Sequence, residues 1–463
     1  MSDASIQRQK KVLMIAYFFP PIGGIAAAGS QRTLKFAKYL PRYAWHPVIL
    51  TVRESSYESY LALDPALLDR VPANTKIIRS SVVRWLTKLL ELKNSGCPTN
   101  VRQMQASVPA QPSNPINEKS RLQRFKDAMT GVFEIPDGEI GWLLPGIVAG
   151  RRAVKREAID VIYATGKPWT AHLIGAVLKR LAGRPLVVDF RDPWMTNPFR
   201  EDMSRWRNRV EGYMERKVVE SADVVVTNTQ ALKDEFIERF PREPVSKFVA
   251  LLNGFDPEDG QVASDRRADP EKFTITHTGF LYGKRDPRLF LEAIASLIET
   301  QRVDKRKIRI CLVGSVELPY DLVGYLRERR LDEVVRLVAH VPYQQSLQYL
   351  ANSDALLLLQ PGTMTQVPSK LFDYIALGKP ILALSPREGA TARLVHENSL
   401  GSLAEAENVC EIASAVEELY HNWRKDPEAY RTNCHAREKF DVKNVTKALS
   451  QKFEELVTMR AVQ

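Results

Sequence analysis

Apolar, β-branched runs recur along the chain at Val12–Tyr17, Pro47–Val52, Asp160–Ala164, Pro185–Phe190, Asp223–Thr227 and Phe248–Leu252, with helix-period segments between them. Strands alternating with helices predict right-handed βαβ units and a parallel sheet. The pattern pauses at residues 253–271, where Asn253-Gly254-Phe255-Asp256 opens an Asp-, Arg- and Pro-rich stretch that lacks periodicity and reads as a linker. It resumes at Phe273–His277, Ile308–Val313, Val334–Val338, Ala355–Leu359 and Ile381–Leu384. The expected fold class is therefore α/β, with two Rossmann-like domains at 1–252 and 272–430. A helical tail follows at 431–463, its last helix near 443–458.

One insertion interrupts the first half. Between about 94 and 120, Ser, Pro, Asn and Gln dominate, which reads as a mobile loop. Just before it, Trp85, Leu89 and Leu92 share one helical face, with Leu86 and Leu90 beside them and Arg84, Lys88 and Glu91 on another. Such a basic amphipathic helix either packs on its own domain or lies on an anionic membrane, and both readings stay open.

Composition narrows the classes. A length of 463 residues suggests two domains or three, and 44% apolar with 26% charged residues is the balance of a soluble globular protein. No stretch approaches the roughly 20 apolar residues of a membrane span. The N-terminus lacks the order of a signal peptide, because Lys10-Lys11 leads straight into a strand and then Pro20-Pro21, so a cytoplasmic protein is expected. Cys97, Cys311, Cys410 and Cys434 are widely spaced with no C-x-x-C pair, so neither a disulfide nor a zinc site is expected. The net charge of +11 calls for an anionic partner. Nucleic acid is disfavoured, since no helix-turn-helix, zinc finger or aromatic-basic RNA-binding signature occurs.

The richest segment is Pro368-Ser369-Lys370-Leu371-Phe372-Asp373-Tyr374-Ile375-Ala376-Leu377-Gly378-Lys379-Pro380. It reads as a helix with Ser369 at or near the N-cap and Gly378 just past its end. Unpaired backbone N–H groups at a helix start attract phosphate, and Lys370 adds a full charge. About one turn on, Asp373 offers a carboxylate to the vicinal hydroxyls of a sugar. A plain capped helix is the competing interpretation.

In open α/β sheets ligands gather beyond the C-terminal strand ends, so two further loops matter. Tyr17-Phe18-Phe19-Pro20-Pro21-Ile22-Gly23-Gly24 ends the first strand, and Gly23 and Gly24 permit close backbone approach to a phosphate or sugar. The G-x-G-x-x-G spacing of a dinucleotide site is missing. In the second half, Thr278-Gly279-Phe280-Leu281-Tyr282-Gly283-Lys284-Arg285 places two cations beside a glycine turn. Arg285 suits a diphosphate through its planar fork and Lys284 as a point charge.

With these elements the chain resembles the GT-B glycosyltransferases, most closely the family 4 retaining enzymes. The resemblance rests on Pro20-Pro21-Ile22-Gly23-Gly24, Asp189-Phe190-Arg191-Asp192-Pro193-Trp194, Asn253-Gly254-Phe255-Asp256, the Gly279 loop, Pro368-Ser369-Lys370 and Gly378-Lys379-Pro380. It implies two domains facing across a cleft, with the tail crossing back to the first. It also implies that Gly279, Lys284, Arg285, Ser369 and Lys370 hold donor phosphates, that Asp373 holds the ribose, and that Gly23-Gly24 closes over the donor. Arg285 and Lys370 are then the catalytic cations at the departing diphosphate.

Two departures stand out. Relatives usually carry two Glu residues separated by seven positions, where this chain has Thr365 and Asp373. Many also keep a His after the strand Asp160–Ala164, where this chain has Thr165-Gly166-Lys167-Pro168. The nearest His, His172, reads as packing. Asp192, with Arg32 nearby, is the expected acceptor-side group, while a helix cap or an ion pair with Arg191 or Arg32 accounts for Asp192 equally well.

The activity implied is hexosyl transfer with retention, from a nucleotide-diphosphate sugar to a lipid-linked or saccharide intermediate of cell-surface polysaccharide. No cofactor or metal is implied, and no D-x-D sequence occurs. The partners implied are the nucleotide sugar, the carbohydrate or lipid-linked acceptor and peripheral contact with an anionic membrane. A nucleotide-sugar 2-epimerase and a non-catalytic binding protein of the same architecture remain as alternatives.

Overall fold

The computed structural model describes residues 8–58, 61, 63–83, 134–197, 200, 203–261, 269–426 and 434–462. The expected amphipathic helix at 84–93, the loop at 94–120 and linker residues 262–268 lie outside the described residues.

The first domain holds a parallel sheet of β1 (Lys10–Ile15), β2 (Trp45–Val52), β3 (Lys76–Ser80), β4 (Val161–Gly166), β5 (Leu186–Phe190), β6 (Val224–Thr227) and β7 (Phe248–Ala250). Their order is β3-β2-β1-β4-β5-β6-β7. Strand side chains alternate between two cores. Leu13 and Ile15 join Val48, Leu50 and Ile174 on one face, while Val12 and Met14 join Phe36, Ile49 and Tyr163 on the other. Helices α1 (Gly24–Tyr39), α2 (Leu143–Arg156), α3 (Thr170–Ala182), α4 (Arg205–Ser221) and α5 (Gln230–Arg239) connect the strands and cover these faces.

The linker begins with the short helix α6 (Pro257–Gln261). The second sheet contains β8 (Phe273–Thr278), β10 (Ile308–Val313), β12 (Val335–Val338), β13 (Ala355–Leu359), β14 (Ile381–Leu384) and β15 (Gly401–Ala404), ordered β12-β10-β8-β13-β14-β15. The short strands β9 (Leu281–Tyr282) and β11 (Val316–Glu317) pair outside it. Helices α7 (Arg288–Glu299), α8 (Leu322–Glu328), α9 (Tyr343–Ala351), α10 (Lys370–Leu377), α11 (Ala390–Glu397) and α12 (Val409–Lys425) complete the domain.

The chain then returns. After α13 (Cys434–Lys439), the long helix α14 (Val442–Val462) leaves the second domain and lies on the first sheet. The crossing point is a backbone pair: Phe255 N–H donates to the Phe440 carbonyl at 3.0 Å, and Val442 N–H returns a bond to Phe255 at 3.0 Å. Gly254 is required beside it, because a Cβ there would meet the Phe440 oxygen at 2.8 Å. Further along α14, fully buried Phe453 packs edge-on against Trp45 at 5.1 Å and Tyr163 at 6.3 Å. Trp45 Nε1 donates to Glu454 at 2.8 Å. Phe453→Ala is expected to cost about 3–5 kcal/mol, read as a lower urea midpoint of tryptophan fluorescence. An unchanged midpoint would show that the tail is not part of the first domain's core.

Candidate active site

The C-terminal end of β8 carries the centre of the site. Gly279 adopts φ +128°, a left-handed backbone that L side chains avoid, and its N–H donates to Val313 at 2.8 Å. Directly over it lies the ammonium of Lys370, which donates to the Thr278 carbonyl at 2.8 Å. A Cβ on Gly279 would collide with Lys370 Nζ. Arg285 follows β9, its guanidinium 5.5 Å from the centre of the Tyr282 ring and donating to Gln360 Oε1 at 3.3 Å. Its Nε is buried with no hydrogen-bond partner. Burial, and then the positive charge of Arg285, lower the Lys370 pKa to about 7. The Arg285 charge therefore acts against the Lys370 ammonium, the condition a bound anion relieves.

Neighbouring residues divide into those that face this centre and those that do not. Exposed Lys284 reaches instead along the turn at Gly362, where a Cβ would stand 2.9 Å from its Nζ. Ser369 makes no side-chain cap and already has helical dihedrals, φ −57° and ψ −33°. The first turn is closed by the Pro368 carbonyl accepting from Leu371 N–H at 3.1 Å, which leaves the exposed Ser369 hydroxyl outside the helix bonds. Beyond the helix, Gly378 takes the left-handed cap expected of it, φ +64°. Asp373 accepts from the Tyr343 hydroxyl at 3.1 Å, and burial raises its pKa to about 6.

His277 is a site feature that sequence reasoning passed over. Its Nδ1 lies 2.9 Å from the Leu357 carbonyl and so carries the proton, while its Nε2 is buried without a partner. Burial, then the Lys370 charge, hold the ring neutral, well below its ordinary pKa. The available signal was a His at the place in the alternation of β8 where Phe273 and Ile275 put apolar side chains.

Across the seam, the first domain presents the loop after β1. Gly23 is buried and precedes α1 in extended backbone, and Gly24 begins that helix. Two bonds join the domains near the donor-side loop. The Thr229 hydroxyl donates to the Thr365 carbonyl at 2.6 Å, and Gln366 Nε2 donates to Asp192 Oδ1 at 3.0 Å. Asp192 is thus held by the opposite domain and not by Arg32, with the Arg191 charge close by.

Arg32 corrects a second expectation. Its five N–H groups go to both Asp189 oxygens at 2.9 and 3.2 Å, to the carbonyls of Leu251 and Leu252 at 2.8 and 3.0 Å, and to Asn253 Oδ1 at 2.9 Å. No donor remains for an acceptor substrate. Arg32 instead clamps β5 to the start of the linker. His172 is packing, with its ring 4.5 Å from Phe190 and 5.7 Å from Trp169 and its pKa lowered by burial to about 4.

Comparison with known proteins follows this division of the chain. Residues 28–250 match the family model of the glycosyl transferase 4-like domain, and residues 272–422 match that of glycosyl transferases group 1. Among curated proteins, the D-inositol 3-phosphate glycosyltransferase of Paenarthrobacter aurescens is 24% identical over 54% of this chain and 62% of its own length. That of Kineococcus radiotolerans is 28% identical over 31% of this chain and 35% of its own length. The matched stretches therefore span about a third to under two thirds of these relatives. Among solved structures, Anabaena HepE in complex with UDP and glucose superposes with a TM-score of 0.58 at 17% identity, covering 96% of this chain and 99% of that one.

Proposed function

From a chain of the GT-B glycosyltransferase type, with one family domain in each half, we propose a hexosyltransferase that uses a nucleotide-diphosphate sugar and retains the anomeric configuration. One observation carries the reading: the Lys370 ammonium lies over Gly279 with the Arg285 charge near enough to act on it, and a buried Arg285 N–H is still unpartnered. A diphosphate placed there draws the Lys370 ammonium off the Thr278 carbonyl. As the bond from the sugar's C1 to the diphosphate oxygen breaks, negative charge builds on the leaving group, where both cations stabilise it. The acceptor hydroxyl forms its bond to C1 on the same face, and its proton passes to a phosphate oxygen. Gly23 and Gly24 border the donor from the other domain. Thr365, in place of a carboxylate, leaves the sugar-side contact to a neutral hydroxyl, and Asp192 lies on the acceptor side.

The acceptor in this reading is lipid-linked. A groove along α2 is lined by Arg53, Val83, Leu144, Val148, Arg152 and Arg156, and begins where β2 and β3 end. Leu144 and Val148 are 71% and 49% exposed. Apolar side chains ringed by arginines suit an anionic membrane surface. Among the described residues no helix is long and apolar enough to cross a membrane, so the contact proposed is peripheral.

The test supplies radiolabelled UDP- and GDP-hexoses together with the host's membrane fraction. Label appearing in an organic-extractable product, with its anomeric configuration kept, supports the proposal. A water-soluble product would move the acceptor off the membrane, and inversion would remove the retaining mechanism. Release of an epimerised sugar would identify a 2-epimerase, and binding without turnover a non-catalytic protein.

A further inference from the structure

Asp373 is tied into a chain of groups that starts in the other domain. The Tyr343 hydroxyl at the head of α9 lies 3.1 Å from Asp373 Oδ1 and 3.2 Å from Asp259 Oδ2 of α6. A phenol has one proton, so it donates to one of these carboxylates at a time. Burial holds that proton on Tyr343, raising its pKa well above the ordinary value. Asp259 is served from elsewhere: Arg70 of the first domain donates to its Oδ1 at 2.7 Å, and the same guanidinium lies 5.6 Å from the centre of the Tyr343 ring. Arg70 also stands 3.7 Å from Asp256, which Lys38 and Tyr39 of α1 hold at 2.8 and 2.7 Å.

We infer that Arg70, Asp259 and Tyr343 are positioning residues through which the first domain and the linker set the hydrogen-bonding capacity of Asp373 toward the vicinal hydroxyls of a nucleotide's ribose. This rests on the donor reading above. Arg70 neutralises Asp259, which leaves the Tyr343 proton for Asp373 Oδ1. Asp373 Oδ2 then remains for the sugar. Donor affinity consequently depends on a residue of the opposite domain that touches no ligand, and it falls when the domains part and Arg70 withdraws.

The groups facing Asp373 fix the signs. Lys35 of α1 and Arg70 favour its ionised form, as does the Tyr343 hydroxyl, while Asp259 opposes it. On its own helix, Lys370 stands one turn back, and Arg437 of α13 donates to the far end at Ala376.

The experiment follows UDP affinity of the full chain against pH by calorimetry, beside 2′,3′-dideoxy-UDP and the matching GDP pair. The wild-type chain is expected to bind UDP more tightly as Asp373 ionises through about pH 6. Tyr343→Phe and Arg70→Met move that inflection up, and Asp259→Asn moves it down. Tyr343→Phe also weakens UDP about tenfold at neutral pH while leaving the dideoxy analogue unchanged. Inflections that stay put, or that all move in one direction, would overturn the positioning chain. If the wild-type chain binds the ribose and dideoxy forms equally, or binds neither nucleotide, the ribose assignment of Asp373 itself falls.

Discussion

Lys370→Ala is expected to lower hexosyl transfer by about 10²- to 10³-fold, the scale seen when one preorganised donor is removed from a developing anion. Arg285→Ala should fall in the same range, and the double variant should lose less than the product, because the two cations act on one leaving group. Among the described residues the Lys370 ammonium donates to the Thr278 carbonyl alone, so its loss should leave circular dichroism unchanged. A pH signature separates this role from a structural one. With its pKa lowered to about 7, Lys370 is charged below that value in the free protein and must take up a proton to bind a diphosphate above it. UDP affinity should therefore decline as pH rises past about 7, and Lys370→Arg, which stays charged, should flatten that limb. Full activity in Lys370→Ala would remove Lys370 from the mechanism.

Gly279→Ala should be nearly as damaging for a different reason. At φ +128° an added Cβ strains the backbone, and it falls where the Lys370 ammonium sits. UDP binding is expected to weaken by about tenfold or more, with about 1–3 kcal/mol lost from folding. Gly378→Ala provides the control, since φ +64° imposes strain at the other end of α10. It should lower stability while leaving UDP affinity in place. Equal losses of affinity in both variants would mean that strain alone, and not the collision with Lys370, explains Gly279.

Where burial on both faces makes a strand continuously apolar, the sequence announces it, as at Val12–Tyr17 and Ala355–Leu359. The strands that escaped notice were edges. Among the described residues Lys76-Ile77-Ile78-Arg79-Ser80 pairs only with β2, and Gly401-Ser402-Leu403-Ala404 only with β14, so each needs few apolar residues. The same contrast governs the site. Gly279 and Lys370 were legible because local chemistry places them: a glycine turn after a strand, and a cation at a helix start. Arg32 was misread because its neighbourhood in sequence, a glycine-bordered helix, says nothing of Asp189 and the linker carbonyls that surround it in space. Asp192 with Gln366, and Tyr343 between two carboxylates, depend on how elements from distant parts of the chain are set against each other. Such pairs leave no periodic trace.

The claim on which the rest depends is that the diphosphate of a nucleotide sugar sits over Gly279, between Arg285 and Lys370. A structure of the chain with UDP bound tests it most directly. The expected result has diphosphate oxygens within hydrogen-bonding reach of Lys370 Nζ and the Arg285 guanidinium, with the ribose hydroxyls on Asp373. A nucleotide bound elsewhere, with Lys370 still on the Thr278 carbonyl, would contradict the account.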